Sequence, residues 1–313
     1  MPFDIRSVSA PFRMQPGLGR LDPGKPQLTL LRPDAAHLRE KLAVLARHAD
    51  QALLCAPGFD SAPALQALTR HAAREHPEAL RADAPDAVAA PLLGWSVNGT
   101  QVEGDGPPAI GACLRALPPD GRRAGLLSLA FAEDFAVLDA GTGRIDWMAV
   151  CLPSHWAPEH KVGRHFTQVH APVADNALLI AAAEPLMRLV TGDERWERFV
   201  WTFTPSQRLD AHPARAGSAP WPETHDLDRL AACTWVRSER QTFMPVPGAG
   251  QAVFTIHVEL HPLTEVASTP DAAARLHAAL ASMSEAVLAY RRLEAVREPL
   301  LGWLARRAEA PHG

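Results

Sequence analysis

Apolar positions recur first with the period of a helix and later with the period of a strand. Leu38, Leu42, Leu45 and Ala49 fall on one face at helical spacing, and Asp34 stands where it could cap that helix. A second helical pattern starts at Ser61 and runs through Leu65, Leu68 and Ala72. Residues 77–91, rich in Pro, Ala and Asp, predict a loop. Strand-like runs then dominate: LLSLAF (126–131), FAVLDA (135–140), RIDWMAVCL (144–152), FVWTFT (199–204), TWVRSERQTF (234–243) and QAVFTIHVEL (251–260). Turn residues separate them, with Gly141-Thr142-Gly143 after the second run and Pro245, Pro247, Gly248 and Gly250 between the last two. Asn98-Gly99-Thr100 reads as a hairpin turn. Residues 153–176 keep no period and predict a structured loop, and a helix follows over 177–190. Leu276, Leu280, Met283, Val287 and Tyr290 form an apolar stripe in helices that end near Trp303.

Helices, then antiparallel-looking strands, then helices predict an α+β fold. Nothing alternates as βαβ, which argues against a dinucleotide fold. The expected organisation is one domain over 1–313, with helical extensions at about 1–91 and about 269–307.

Composition narrows the function classes. Of 313 residues, 47% are hydrophobic and 21% charged, the balance of a globular chain with a sizeable core. The net charge of -4 gives no sign of a nucleic-acid partner. Cys55, Cys113, Cys151 and Cys233 contain no C-x-x-C pair and no C-x-x-C-H. They read as free thiols in a reducing, cytoplasmic setting, and any haem would be held non-covalently. The apolar stretch from Ala177 to Val190 is interrupted by Glu184, Pro185 and Arg188, so no membrane span is expected.

Two segments concentrate chemistry. The first, CLPSHWAPEHKVGRHFTQVHAPV (151–173), holds His155, His160, His165 and His170 at intervals of five. Five helical residues rotate by about 140°, and five strand residues change face, so neither geometry gathers all four into a metal cage. One histidine reaching a site from an ordered loop is easier to build, and a hydrogen-bonded packing role is the competing reading. Phe166, Val169, Pro172 and Val173 surround His170 with apolar groups, the setting a haem-ligating imidazole needs. Lys161 and Arg164, just upstream, are either partners for carboxylates or part of a solvated loop face.

In the second segment, WVRSERQTFMPVPGAGQAVFTIHVEL (235–260), strand periodicity puts Arg237, Glu239 and Gln241 on one face and Ser238, Arg240 and Thr242 on the other. Such charges mark a buried polar site or a salt-bridged sheet face. His257 is either a satisfied core histidine or a pocket donor or base. The pair Glu133-Asp134, between two strands, reads as a turn or cap. Ser154 lies in no G-x-S-x-G elbow.

Several ordered stretches together resemble the haem-dependent oxidative N-demethylase family. PFRMQPGLGRLD (11–22) is similar to that family's opening, and AEDFAVL (132–138) to its Q-E-D segment, with Ala132 in place of Gln. CLPSHWAPEHKVGRHFTQVHAPV resembles P-S-x-W…E-K-x-G-R…I-H-x-P-V, and SERQTFMPVPGAGQAVFTIHVEL resembles E-R-Q-T…LP…G-A-x-x-F-T-I. YRRLEAVREPLLGWL is similar at the C-terminus.

The resemblance implies a PAS-like antiparallel sheet binding haem b. It implies oxidation of a small secondary amine such as dimethylamine by dioxygen, with the methyl group leaving as formaldehyde. Electrons would come from NADPH through a separate reductase carrying FMN and an iron–sulfur cluster, and a folate-binding subunit would take the one-carbon unit. Carried over by position, His170 is the expected iron ligand, with His165 second. Lys161, Arg164, Phe166, Trp201 and Arg237 are expected around the cofactor, and Glu239, Arg240 and His257 at the chemistry. Two positions depart from the pattern: His257 stands where the family often has Arg, and Trp201 lacks the Asn that usually precedes it. A haem gas or redox sensor, or a non-catalytic haem-binding or haem-free scaffold subunit, are the alternative readings.

Overall fold

The strand runs assemble into one antiparallel sheet of eight strands. The computed structural model describes residues 4–217 and 219–309. The sheet contains β1 (Gly19–Arg20), β2 (Leu53–Cys55), β7 (Asp134–Asp139), β8 (Arg144–Ala149), β9 (Arg164–His165), β10 (Trp196–Thr204), β11 (Trp235–Val246) and β12 (Gln251–Pro262). Its order is β1-β10-β11-β12-β7-β8-β2, with β9 also pairing β8. A four-stranded sheet, β3 (Arg81–Ala84), β4 (Ala87–Ala90), β5 (Trp95–Asn98) and β6 (Gln101–Gly104), stands beside it.

Helices α1 (Ala36–Ala52), α2 (Ala62–Glu75), α3 (Pro108–Ala116) and α4 (Arg122–Ala130) precede β7. Between β8 and β10 come α5 (Phe166–His170), α6 (Ala177–Ala181) and α7 (Ala183–Val190). Short helices α8 (Pro213–Ala216) and α9 (Leu227–Ala232) precede β11. After β12 the chain ends in α10 (Leu263–Val266), α11 (Pro270–Ala281), α12 (Glu285–Arg291) and α13 (Arg297–Ala308).

Register assigns each side chain to a face, because directly paired residues share one and neighbours alternate. Arg198, Val200 and Thr202 of β10 pair with Gln241, Glu239 and Arg237 of β11, and define the front face. Phe199, Trp201 and Phe203 pair with Arg240, Ser238 and Val236 on the reverse, and β12 adds His257 opposite Arg240. The reverse face is covered twice. Leu38, Leu45, Leu65, Leu68 and Leu126 from the N-terminal helices meet Phe135, Val137 and Trp147. Leu276, Leu280, Val287 and Trp303 from the C-terminal helices join the cluster of Trp201, Phe203 and Val236. On the front, α5 to α7 cover only the β7, β8 and Phe243 end, through Phe166, Val169, Leu186 and Met187.

Several expectations change. LLSLAF lies in and just after helix α4 rather than in a strand. Leu126, Leu127 and Leu129 are all fully buried, and a segment apolar on every side carries no period that separates helix from strand. Residues 81–90 form β3 and β4, and β4 buries Val88 and Ala90. Alanine-rich strands give little hydrophobic alternation, which hid them. The helix over 177–190 is two helices meeting at Ala182. Ala35 rather than Asp34 occupies the cap of α1, with no side-chain bond. Tyr290 is 48% exposed and leaves the stripe formed by its neighbours.

Lys41 of α1 is fully buried and joins the helical layer to the sheet. Its Nζ lies 3.1 Å from Asp134 Oδ1 and donates to the carbonyls of Phe131 and Glu133. Asp134 in turn accepts the Leu152 N–H at 2.6 Å. Removing one partner of a buried pair strands the other charge. Lys41→Met should therefore cost roughly 3–5 kcal/mol in urea unfolding. Adding Asp134→Asn should recover part of that loss; an equal loss in the double variant would show that the ion pair is not the source.

Candidate functional site

The front face carries an open hollow. Val200, Thr202, Glu239 and Gln241 are partly exposed although their strands lie inside the sheet, while Trp201, Ser238, Arg240 and Thr242 behind them are buried. Around this opening stand α5, the 152–161 segment and α12.

His170 ends α5. Its Nδ1 donates to the Phe166 carbonyl at 2.8 Å, and the two rings lie 4.1 Å apart. That bond leaves Nε2 as the unprotonated nitrogen, and nothing among the described residues bonds it. Burial, reinforced by the positive charges of Lys161 and Arg198, holds its pKa down to about 4. The imidazole is thus neutral at pH 7 with a lone pair to offer. Asn176 Nδ2 donates to the His170 carbonyl at 3.0 Å and fixes the end of the helix.

His165 is used differently. It caps α5, its Nδ1 accepting from Thr167 N, while Gln168 Oε1 accepts from its backbone N–H. Its Nε2 packs on Gly143, where a Cβ would come within 2.2 Å, and Gly143 itself sits at φ +67. The cap engages His165 Nδ1, and the other side of the ring packs on Gly143. Among the described residues no group of three or more His, Cys, Asp or Glu is placed to hold an ion.

Lys161 and Arg198 border the hollow, and Arg291 stands against Phe12 and Trp201 at the β10 side. Lys161 Nζ rests over the Trp156 ring at 4.1 Å, and burial lowers its pKa to about 8. Arg198 reaches the Gln15 carbonyl, its Nε is buried without a partner, and burial lowers its pKa to about 10. Arg291 of α12 donates to the Trp201 carbonyl and covers the Phe12 ring at 4.5 Å. Its pKa also falls to about 10 on burial. None of the three has a carboxylate within 4.0 Å among the described residues. The negative charge of Glu239 acts on all three, and among the described residues its carboxylate accepts from Gln241 Nε2 at 2.6 Å.

Arg237 is a clamp. Its Nε donates to Ser154 Oγ at 2.7 Å, and its other nitrogens to the carbonyls of Arg208, Leu152, Pro153 and Leu209. Most of its donors are engaged by the protein itself. Arg164 is exposed on β9, at the margin of the sheet.

The register separates the remaining candidates from His170. Arg240 is on the reverse face, bound to Glu197 at 3.0 Å and to the Pro26 carbonyl. Trp201 packs edge-on against Phe12 and Phe203. His257 Nδ1 lies 3.5 Å from Glu133 Oε1 and 3.4 Å from Thr29 Oγ1, under α1. The expectation of one pocket shared by His170, Arg240 and His257 does not fit a two-residue strand period. Arg198 lies on the front face by register and was not among the residues expected at the site. Its odd spacing from Trp201 and its place in ERFVWTF, where the family usually has R-x-N-W, were the available clues.

The molecule is therefore an α+β protein in which one sheet face carries a cation-lined hollow with a neutral, ligand-competent imidazole. The chain belongs to the family described as haem-dependent oxidative N-demethylase, alpha subunit-like, whose model matches residues 35–301. No helix among the described residues is long and apolar enough to cross a membrane.

The reverse-face pair has a measurable consequence. Burial pushes the Glu133 carboxyl up to about 7 and His257 down to about 3, from ordinary values of 4.5 and 6.5. As pH falls below 6.5 the unfolded chain protonates His257 before the folded one does, so stability from this group, present at neutral pH, is lost on acidification. His257→Gln cannot titrate. Between pH 7 and pH 4 the urea midpoint of the wild type should fall more steeply than that of His257→Gln; parallel curves would contradict the shift.

Proposed function

We propose that the front hollow binds haem b non-covalently, with His170 Nε2 on the iron, and that the bound protein oxidises a small secondary amine of the dimethylamine kind. The observation that carries the reading is the commitment of His170 Nδ1 to the Phe166 carbonyl, which presents a neutral Nε2 beside unneutralised cations. A metal-ligating histidine commonly has its other nitrogen so engaged. Haem also brings two carboxylates, and Lys161 and Arg198 are buried cations lacking them. The orphaned Nε of Arg198 gives a donor such a group would satisfy. The strand order, with helices inserted between β8 and β10 over one face, supports a PAS-like description of the sheet.

When bound, haem supplies the iron at which dioxygen is activated. The chain supplies the rest. His170 would hold the iron through Nε2, its ring oriented by the Phe166 carbonyl. Lys161 and Arg198 would pair with the haem carboxylates. Glu239 is the anion in the hollow and would attract the amine, which carries a positive charge at neutral pH. In the net reaction one oxygen atom leaves in formaldehyde and the other in water, with two electrons and two protons added. Those electrons would come from NADPH through a partner reductase with FMN and an iron–sulfur cluster, and a folate-binding subunit would accept the carbon. Arg240, His257 and Trp201 support the reverse face in this reading.

Protein expressed with ample haem precursor should show a Soret band, and His170→Ala should abolish or displace it. An unaltered spectrum in that variant would reject the ligand assignment. Arg198→Ala should keep the band but weaken haem binding by roughly tenfold, the scale of one charge-assisted hydrogen bond. Amine-dependent oxygen uptake with a cognate reductase tests turnover, and a haem-loaded protein inert in that assay would reject the enzymatic part.

A further inference from the structure

A cavity of about 640 Å³ opens where the turn at residues 22–26 meets the end of α2 and the start of β10. That volume lies in the range of small-molecule pockets. Lys25 fixes its side of the sheet. Its Nζ lies 3.0 Å from Glu197 and 5.5 Å from the centre of the Phe199 ring, and both residues point to the reverse face. The cavity is therefore distinct from the front hollow.

Three cations line it, Lys25, Arg74 and Arg195, against a single carboxylate, Glu75. Glu75 is already engaged by its own chain. It accepts the backbone N–H groups of Gln27 and Leu28 at 3.0 and 3.1 Å, and lies 2.9 Å from His71 Nε2. Burial alone would raise its pKa, yet these donors hold it below the ordinary value. Arg195 is steered by the Pro23 carbonyl at 3.2 Å and stands 3.5 Å from Glu75, at the limit of a hydrogen bond. Lys25 shares Glu197 with Arg240. Arg74 is exposed and has no carboxylate within 4.0 Å among the described residues.

Four cations, counting Arg240, thus meet two carboxylates, an excess of two positive charges. Other acids of these segments do not line the cavity: Asp22 accepts from the Gly24 N–H, Glu78 lies 3.9 Å from His76 and is mostly exposed, and Glu194 pairs with Arg20. Arg74 stands in the last turn of α2, where a cation favours the helix dipole. That role accounts for one cation, not for the convergence of three chain segments on one space.

We infer that this cavity binds the dianionic phosphate of a small phosphate monoester. Arg74 and Arg195 take the phosphate oxygens, which suit the planar fork of a guanidinium, and Lys25 adds its charge beside them. Pro23 and Pro26 form a rigid apolar wall for the organic part of the ester. The site does not depend on the haem reading.

The full-length protein is titrated by calorimetry with inorganic phosphate and, separately, with ribose 5-phosphate, at fixed ionic strength. Both should bind, the ester more tightly. Arg74→Gln should weaken each by roughly tenfold, the loss of one charge-assisted hydrogen bond, and Arg195→Gln should do the same. An unchanged melting curve shows that each variant is folded. Arg198→Ala, in the front hollow, should bind both probes as the wild type does. No heat with either probe overturns the inference, and so does wild-type affinity in Arg74→Gln. Loss of binding in Arg198→Ala would move the anion to the front hollow and overturn it as well. An ester bound no more tightly than phosphate overturns the ester assignment. Haem is read separately from the Soret band, so failure of one reading leaves the other intact.

Discussion

The ladder joining β10, β11 and β12 is the constraint on which the rest depends. Twelve residues of β11 pair without interruption to β12, and nine of β10 to β11. No bulge lets a side chain change sides. Polar and apolar residues therefore sort strictly by parity, and two chemistries occupy opposite faces of one strand. A one-residue slip would carry Glu239 into the apolar reverse layer and Arg240 into the hollow. The extensive packing behind the sheet makes that exchange costly, so the rigidity of the site comes from a hydrophobic layer that never touches it.

What the sequence made legible follows from the same physics. The strands with good alternation appear where their patterns put them, and the polar parity of Arg237, Glu239 and Gln241 is visible from spacing alone. The family is legible too, because ordered motifs over most of the chain survive without any knowledge of contacts. Less is legible at the site. Which of four evenly spaced histidines offers a free nitrogen depends on caps and glycine contacts that spacing does not encode. His165 and His170 differ by a hydrogen bond each, not by their neighbours' character. Arg237 reads as a cofactor ligand because a charge in an apolar strand suggests one; only its carbonyl partners reveal a clamp. Arg291 comes from a helix nearly a hundred residues beyond Arg198, and loop and helix docking brings them together.

The hollow also breaks the rule of consistency that the core obeys. Several buried charges elsewhere are matched: Lys41 with Asp134, Arg215 with Asp210, Arg240 with Glu197. At the front face Lys161 and Arg198 share the influence of a single carboxylate. Such local violations concentrate where a protein is built to receive something, because a perfectly satisfied surface has nothing left to recognise it with. The same residues are the natural places for stabilising substitutions that would abolish binding.

Beneath α1, the carboxyl of Glu133 sits against an uncharged ring. A guanidinium there would serve as a permanent counterion; burial instead raises the acid to about 7, so its charge varies with the solvent's acidity near neutrality. The charge state of this part of the interior is thereby a property of the medium as much as of the polypeptide.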